Sequence, residues 1–150
     1  MNEKYTIYNS FIFFIIFIIF CLRFFLWYFV DLDLSFDEAQ YYSWSKDIEW
    51  GYFSKPPFLA WLINFFTNIC GTSEVCIRIS SPILHSLIAV FIGLSASNLN
   101  KNADKKKIFI IASSIWLLIP AVSLSSGFIS TDVPLLFFTS LILWIFSLII

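Results

Sequence analysis

Long apolar stretches separated by short polar links set the pattern of this chain. Residues 11–30 run apolar with Arg23 as the one charged interruption, and further runs cover 77–99, 108–125 and 133–150. A run of about 20 residues at about 1.5 Å each matches a hydrocarbon core of about 30 Å. The first run is too long for the apolar part of a signal peptide. Phe20, Leu22, Phe24 and Phe25 surround Cys21, so no small-residue cleavage site or lipid-attachment box is visible. It reads as an uncleaved first helix. The last run reaches residue 150 without a cap or flanking charge, which gives the expectation of a front part of something longer.

The stretch 31–76 has a different pattern. Ser35 stands three residues before Glu38, the spacing of a capping box, so a helix is expected from Phe36. On a 3.6-residue period Asp37, Tyr41, Trp44 and Ile48 share one face, and Glu38, Tyr42, Ser45 and Glu49 a neighbouring one. The aromatic stripe suits a helix lying in the headgroup layer, with Asp37 turned away from bulk water. Gly51 is the expected end of this helix. Pro56-Pro57 then opens a second helix over 58–70, too short to span and edged by Asn64, Asn68 and Gly71.

Composition agrees with a membrane chain: 59% hydrophobic residues, mean hydropathy +0.86, 19 phenylalanines and 13% charged residues. The charged share is about half that of soluble domains. The expected fold is an all-α integral membrane protein with about four transmembrane helices and two interfacial amphipathic helices in the external loop 31–76. Charge is sorted by side. The link between the second and third runs carries Lys101, Lys105, Lys106 and Lys107 against Asp104, whereas the loop 31–76 sets two lysines against seven carboxylates. By the positive-inside rule the lysine-rich link and the N-terminus are cytoplasmic, and the acidic loop and the 126–132 turn lie outside. A bacterial inner membrane is the expected location, and no nucleic-acid partner is expected. Cys70 and Cys76 flank a glycine turn on the outer side, as a small disulfide or as two packed thiols. His85, the single histidine, cannot build a zinc site alone.

The candidate chemistry sits on the outer side, in Asp37, Glu38, Lys55, Arg78 and Asp132. Each has a plain structural alternative. Glu38 suits a capping-box acid, Asp37 a first-turn acid favoured by the helix dipole, Lys55 a snorkelling lysine, and Asp132 a helix-start residue.

The string Asp37-Glu38-Ala39-Gln40-Tyr41-Tyr42 is followed by Trp50-Gly51-Tyr52-Phe53, Lys55-Pro56-Pro57 and Trp61-Leu62-Ile63, then Arg78-Ile79 and Thr131-Asp132-Val133-Pro134. Over about residues 20–145 this resembles the GT-C glycosyltransferases of the protein-O-mannosyltransferase and aminoarabinose-transferase kind. The resemblance implies a partial GT-C fold whose first external loop carries two helices along the membrane. It also implies an inverting transfer of a sugar from a polyprenyl-phosphate donor to a lipid, glycan or protein acceptor on the extracytoplasmic face. In that setting Asp37 is the candidate base, and Glu38 supports it or helps to hold a divalent metal ion. Lys55 meets the lipid phosphate, Asp132 lies near the sugar, and Arg78 is a further substrate-binding candidate. Ser54 stands where many relatives carry an acid, which removes one metal ligand. The partners implied are the polyprenyl-phosphate-sugar, the bilayer and a missing C-terminal part of the same enzyme. The competing reading is a small non-enzymatic multi-pass membrane protein, or an inactive remnant of such a transferase.

Overall fold

The computed structural model describes residues 33–100 and 104–150, with single helical positions at Ile18, Cys21, Leu22, Phe25 and Phe29. The expected first span, 11–30, lies outside the described residues apart from these positions, as does Lys101 of the basic link. The described residues form seven helices and no strand.

Helix α1 (Phe36–Lys46) begins with the expected capping box. The Glu38 N–H donates to Ser35 Oγ at 3.4 Å, and the Ser35 N–H donates back to the Glu38 carboxylate at 2.9 Å. The helix stops at Lys46, with Asp47 extended at its C-cap, and so ends before Gly51. The cause is tertiary. The Tyr52 hydroxyl lies 2.9 Å from the Trp44 carbonyl and 2.8 Å from that of Asp47, while its oxygen accepts from the Glu49 N–H. The Tyr52 ring also stacks on Trp44 at 5.0 Å, so the chain turns back on itself four residues early.

Helix α2 (Phe58–Cys70) starts after the proline pair and ends at Gly71. There φ is +93° with ψ near 180°, a combination that only glycine adopts without strain. A Cys70–Cys76 disulfide then joins α2 to the short α3 (Glu74–Arg78), whose first turn is capped by Ser73. Asn64 Nδ2 donates to the Ser45 carbonyl at 2.8 Å, and Trp61 Nε1 to that of Glu49 at 2.9 Å, which pins α2 against the end of α1. The edge expected from Asn64 and Asn68 thus partly serves to bind α1.

Helix α4 (Ser80–Leu99) continues α3, and together they run 26 residues from Glu74 to Leu99. Among the described residues this is the one helix long and apolar enough to cross a membrane. The expected third span is broken. Helix α5 (Lys105–Leu118), capped by the Asp104 carboxylate, stops where Pro120 drives Ile119 into an extended conformation. Helix α6 (Pro120–Ser125) follows as a separate short piece. Helix α7 (Asp132–Ser147) occupies the expected fourth run and is 16 residues long.

Helix α4 is the hub, packing on α5 and on α7. On the α5 side a Cβ on Gly93 would collide with Ser113 Oγ and lie 2.7 Å from the Phe109 ring, so only glycine allows this approach. Ser113 donates to the Ala89 carbonyl across the same seam at 2.9 Å. On the α7 side Phe91 stacks on Trp144 at 5.3 Å and meets Phe137 at 5.8 Å, and Asn98 donates to Ser147 at 3.1 Å.

Candidate functional site

The acidic pair of α1 is split by its helix. Tyr41 and Ser45 lie one and two turns beyond Glu38, and these three are the buried residues of α1. Beneath them Tyr41, Leu59, Ile63, Ile77 and Ile129 form a small apolar core, with Leu34, Tyr42 and Trp44 packed around it. The buried face therefore carries Glu38 in company with Tyr41, while Asp37 points outward and is exposed. The sequence reading had set Asp37 on the Tyr41 face, facing the protein or the bilayer. Packing selects the other neighbour.

Glu38 is 1% exposed and Arg78 7%. Their contact is two-pronged: Arg78 Nε donates to Glu38 Oε1 and Nη2 to Oε2, both at 2.9 Å. Each carboxylate oxygen then accepts a second bond, Oε1 from the Ile129 N–H at 3.0 Å and Oε2 from the Ser35 N–H at 2.9 Å. A carboxylate offers about four lone-pair positions. All four are filled.

Arg78 Nη2 also donates to the Asp33 carbonyl at 3.0 Å, Nη1 stands 3.8 Å from Glu74, and the guanidinium lies 5.8 Å from the centre of the Phe128 ring. One ion pair thus fastens the start of α1, the end of α3 and the segment leading to α7. Burial by itself pushes the Glu38 carboxyl up, but the opposing hydrogen bonds from Arg78, Ser35 and Ile129 and the Arg78 charge together outweigh it. The group is held below the usual carboxylate range and stays ionised at neutral pH.

The remaining candidates are arranged differently. Asp37 and Asp132 are exposed, Lys55 is half-buried, and none of the three makes a side-chain hydrogen bond or ion pair with another described residue. Asp132 is the first residue of α7 and leaves the cap position to Thr131. It follows Ile129 by three residues, and the Ile129 N–H donates to Glu38, so the segment that leads into α7 is tied to α1. The structure therefore joins Glu38 to Arg78 and leaves the Asp37, Lys55 and Asp132 side chains open. Among the described residues no three His, Cys, Asp or Glu side chains are grouped to hold a metal ion, and Glu38 has no lone pair to offer one.

Sequence reasoning missed two partners of this lock, the Ile129 N–H and the Asp33 carbonyl. Both are main-chain groups, which leave no mark in side-chain patterns. It also missed the Tyr52, Trp61 and Asn64 ties. The aromatic string that contains Tyr52 and Trp61 was their one visible signal.

Comparison with known proteins bears on these residues. The family model described as dolichyl-phosphate-mannose-protein mannosyltransferase matches residues 54–150. The match takes in Lys55, Arg78 and Asp132 and begins after Asp37 and Glu38. Lipid A galacturonosyltransferase RgtD of Rhizobium johnstonii is 38% identical over 112 residues, which are 74% of this chain and 23% of that protein. The chain thus spans about a quarter of the length of the curated relative it matches. No solved structure matches it. With its family model matched over well over half its length, the chain belongs to the dolichyl-phosphate-mannose-protein mannosyltransferase family, within the GT-C glycosyltransferases.

Proposed function

We propose that this chain forms the first part of a membrane glycosyltransferase. The enzyme takes a sugar from a polyprenyl-phosphate donor and passes it to an acceptor hydroxyl on the extracytoplasmic face. The observation that carries the reading is the division of labour between two adjacent carboxylates. Glu38 is saturated by Arg78 and two backbone N–H groups, whereas its neighbour Asp37 has a free, exposed carboxylate held on the rigid first turn that Glu38 anchors.

Such a transfer inverts the anomeric carbon in one displacement. The acceptor hydroxyl attacks, its proton passes to a general base, and the polyprenyl phosphate leaves carrying the electron pair of the broken bond. In this reading Asp37 is the base. Lys55 meets the phosphate and stabilises its charge as it departs. Asp132, at the start of α7, orients the sugar. Glu38 and Arg78 act as positioning residues that set Asp37 and the α7 start relative to each other. No step is routed through a metal ion.

The relative's printed name makes lipid A the first acceptor to test and galacturonic acid the first sugar. The test is transfer of radiolabel from a polyprenyl-phosphate-linked sugar in membranes that express the chain together with the reading frame downstream of it. Asp37→Asn is expected to lower transfer by about 100-fold or more, the usual contribution of a general base. An unchanged rate in that variant removes Asp37 from the chemistry.

A further inference from the structure

Trp50 and Phe53 are the most exposed large apolar side chains among the described residues, at 90% and 102%. They stand on the turn between α1 and α2, and that turn is fixed. The Tyr52 hydroxyl ties it to the end of α1, Trp61 Nε1 donates to the Glu49 carbonyl, and the Trp50 ring meets the edge of Trp61 at 5.3 Å. A pinned turn that holds two aromatic rings outward presents about 150–250 Å² of surface per ring for burial elsewhere.

The depth of this turn can be read from α7. Phe58, at the start of α2, packs on Phe138 with ring centres 4.9 Å apart. Phe138 lies six residues beyond Asp132, which is about 9 Å along the helix from its polar start. The headgroup layer on each side of a bilayer is about 5–7 Å deep. With α7 along the membrane normal and Asp132 at the outer edge of the headgroups, the start of α2 comes within a few ångströms of the boundary between headgroups and hydrocarbon. Leu135, Phe138 and Ile142 are exposed along the outer face of α7. Phe58, which follows the turn by five residues, thus packs on the helix that carries this exposed apolar face. The α1 stripe expected to lie in the headgroups is used otherwise, since Tyr41 is buried and Trp44 packs against the small core.

We infer that the turn carrying Trp50 and Phe53 is the membrane anchor of the external loop, seated in the headgroup region of the bilayer. Lys46 and Lys55 are balanced by Asp47 and Glu49 around it. Insertion is accordingly driven by the aromatic rings and does not require anionic lipid. The inference rests on the membrane placement in the proposed function and not on sugar transfer.

The test uses the full chain carrying Cys21→Ser and Phe53→Cys, labelled with a small fluorophore in phosphatidylcholine vesicles. Asn68→Cys on α2 serves as the comparison position. The Phe53 label is expected to be quenched at least twofold more by shallow brominated lipid than by aqueous iodide, with 0.5 M salt changing neither. Two outcomes overturn the anchor: iodide quenching equal to that at position 68, or a label that neither quencher reaches, which signals protein cover such as a second copy. An impermeant maleimide applied to spheroplasts with Asn68→Cys reports sidedness separately. A cytoplasmic loop there defeats the proposed orientation and leaves the anchor result to stand or fall by itself.

Discussion

The outer lock and the α4–α5 seam hold the same chain together by opposite means. At the lock, Glu38 and Arg78 are buried and satisfied by five hydrogen bonds that reach Ser35, Asp33 and Ile129. At the seam, Gly93 lets α5 approach so closely that Ser113 and Phe109 fill the space a side chain would need. The lock is directional, titratable and built from residues far apart in sequence. The seam is steric, uncharged and set by the absence of a side chain. In the proposed reading, a site that holds Asp37 in one place beside substrate gains from the first kind of contact. Helices packed in lipid, the setting of the proposed reading, gain from the second, because close backbone approach replaces the missing hydrophobic drive.

The largest loss is expected at Glu38. Glu38→Ala removes the close carboxylate partner of the buried Arg78 guanidinium, which keeps the Asp33 carbonyl and the more distant Glu74. Removing one member of a buried pair costs about 3–5 kcal/mol. The cost should appear as a lowered unfolding midpoint in detergent and as faster proteolysis between α1 and α2. Next comes Gly93→Ala, where overpacking costs about 1–3 kcal/mol. The same unfolding measurement should record it without new cleavage in the external loop, and Ser113→Ala in that background should return part of the loss.

Ser35→Ala removes the side-chain acceptor of the α1 cap and is worth about 1 kcal/mol. Its backbone N–H still reaches Glu38, so amide exchange should quicken in the first turn of α1 and leave the Ile129 amide protected. The mildest perturbation is acid. The Glu38 pKa is lowered on folding, so its contribution is fully present above the ordinary value of 4.5 and is lost as pH falls through the lower folded-state value. Wild-type unfolding midpoints should fall over that window, and Glu38→Gln should flatten the part owed to the lock. Gly93→Ala should leave the slope as it is.

Where neighbours in sequence decide, the reading was close. The Ser35–Glu38 capping box is an i, i+3 relation, and α2 begins at Phe58 after its proline pair and ends at Gly71. The Cys70–Cys76 pair was one of two open alternatives, and the structure closes it as a disulfide. Two boundaries differ: α1 stops at Lys46, where Tyr52 holds the Trp44 and Asp47 carbonyls from the following loop, and Pro120 divides a run that hydropathy treats as continuous.

By itself the sequence determined that the chain is helical and apolar, that a polar loop follows the first run, and which residues could carry chemistry there. It could not choose between Asp37 and Glu38. A spacing of three and a spacing of four both amount to one helical turn, so Tyr41 is a neighbour of each. Only the tertiary structure made the choice, by bringing Arg78 and the Ile129 N–H, 40 and 91 positions away, onto Glu38 and leaving Asp37 outside. The physical reason is that a buried carboxylate must find every one of its partners. Those partners are gathered by the fold and not by the order of residues.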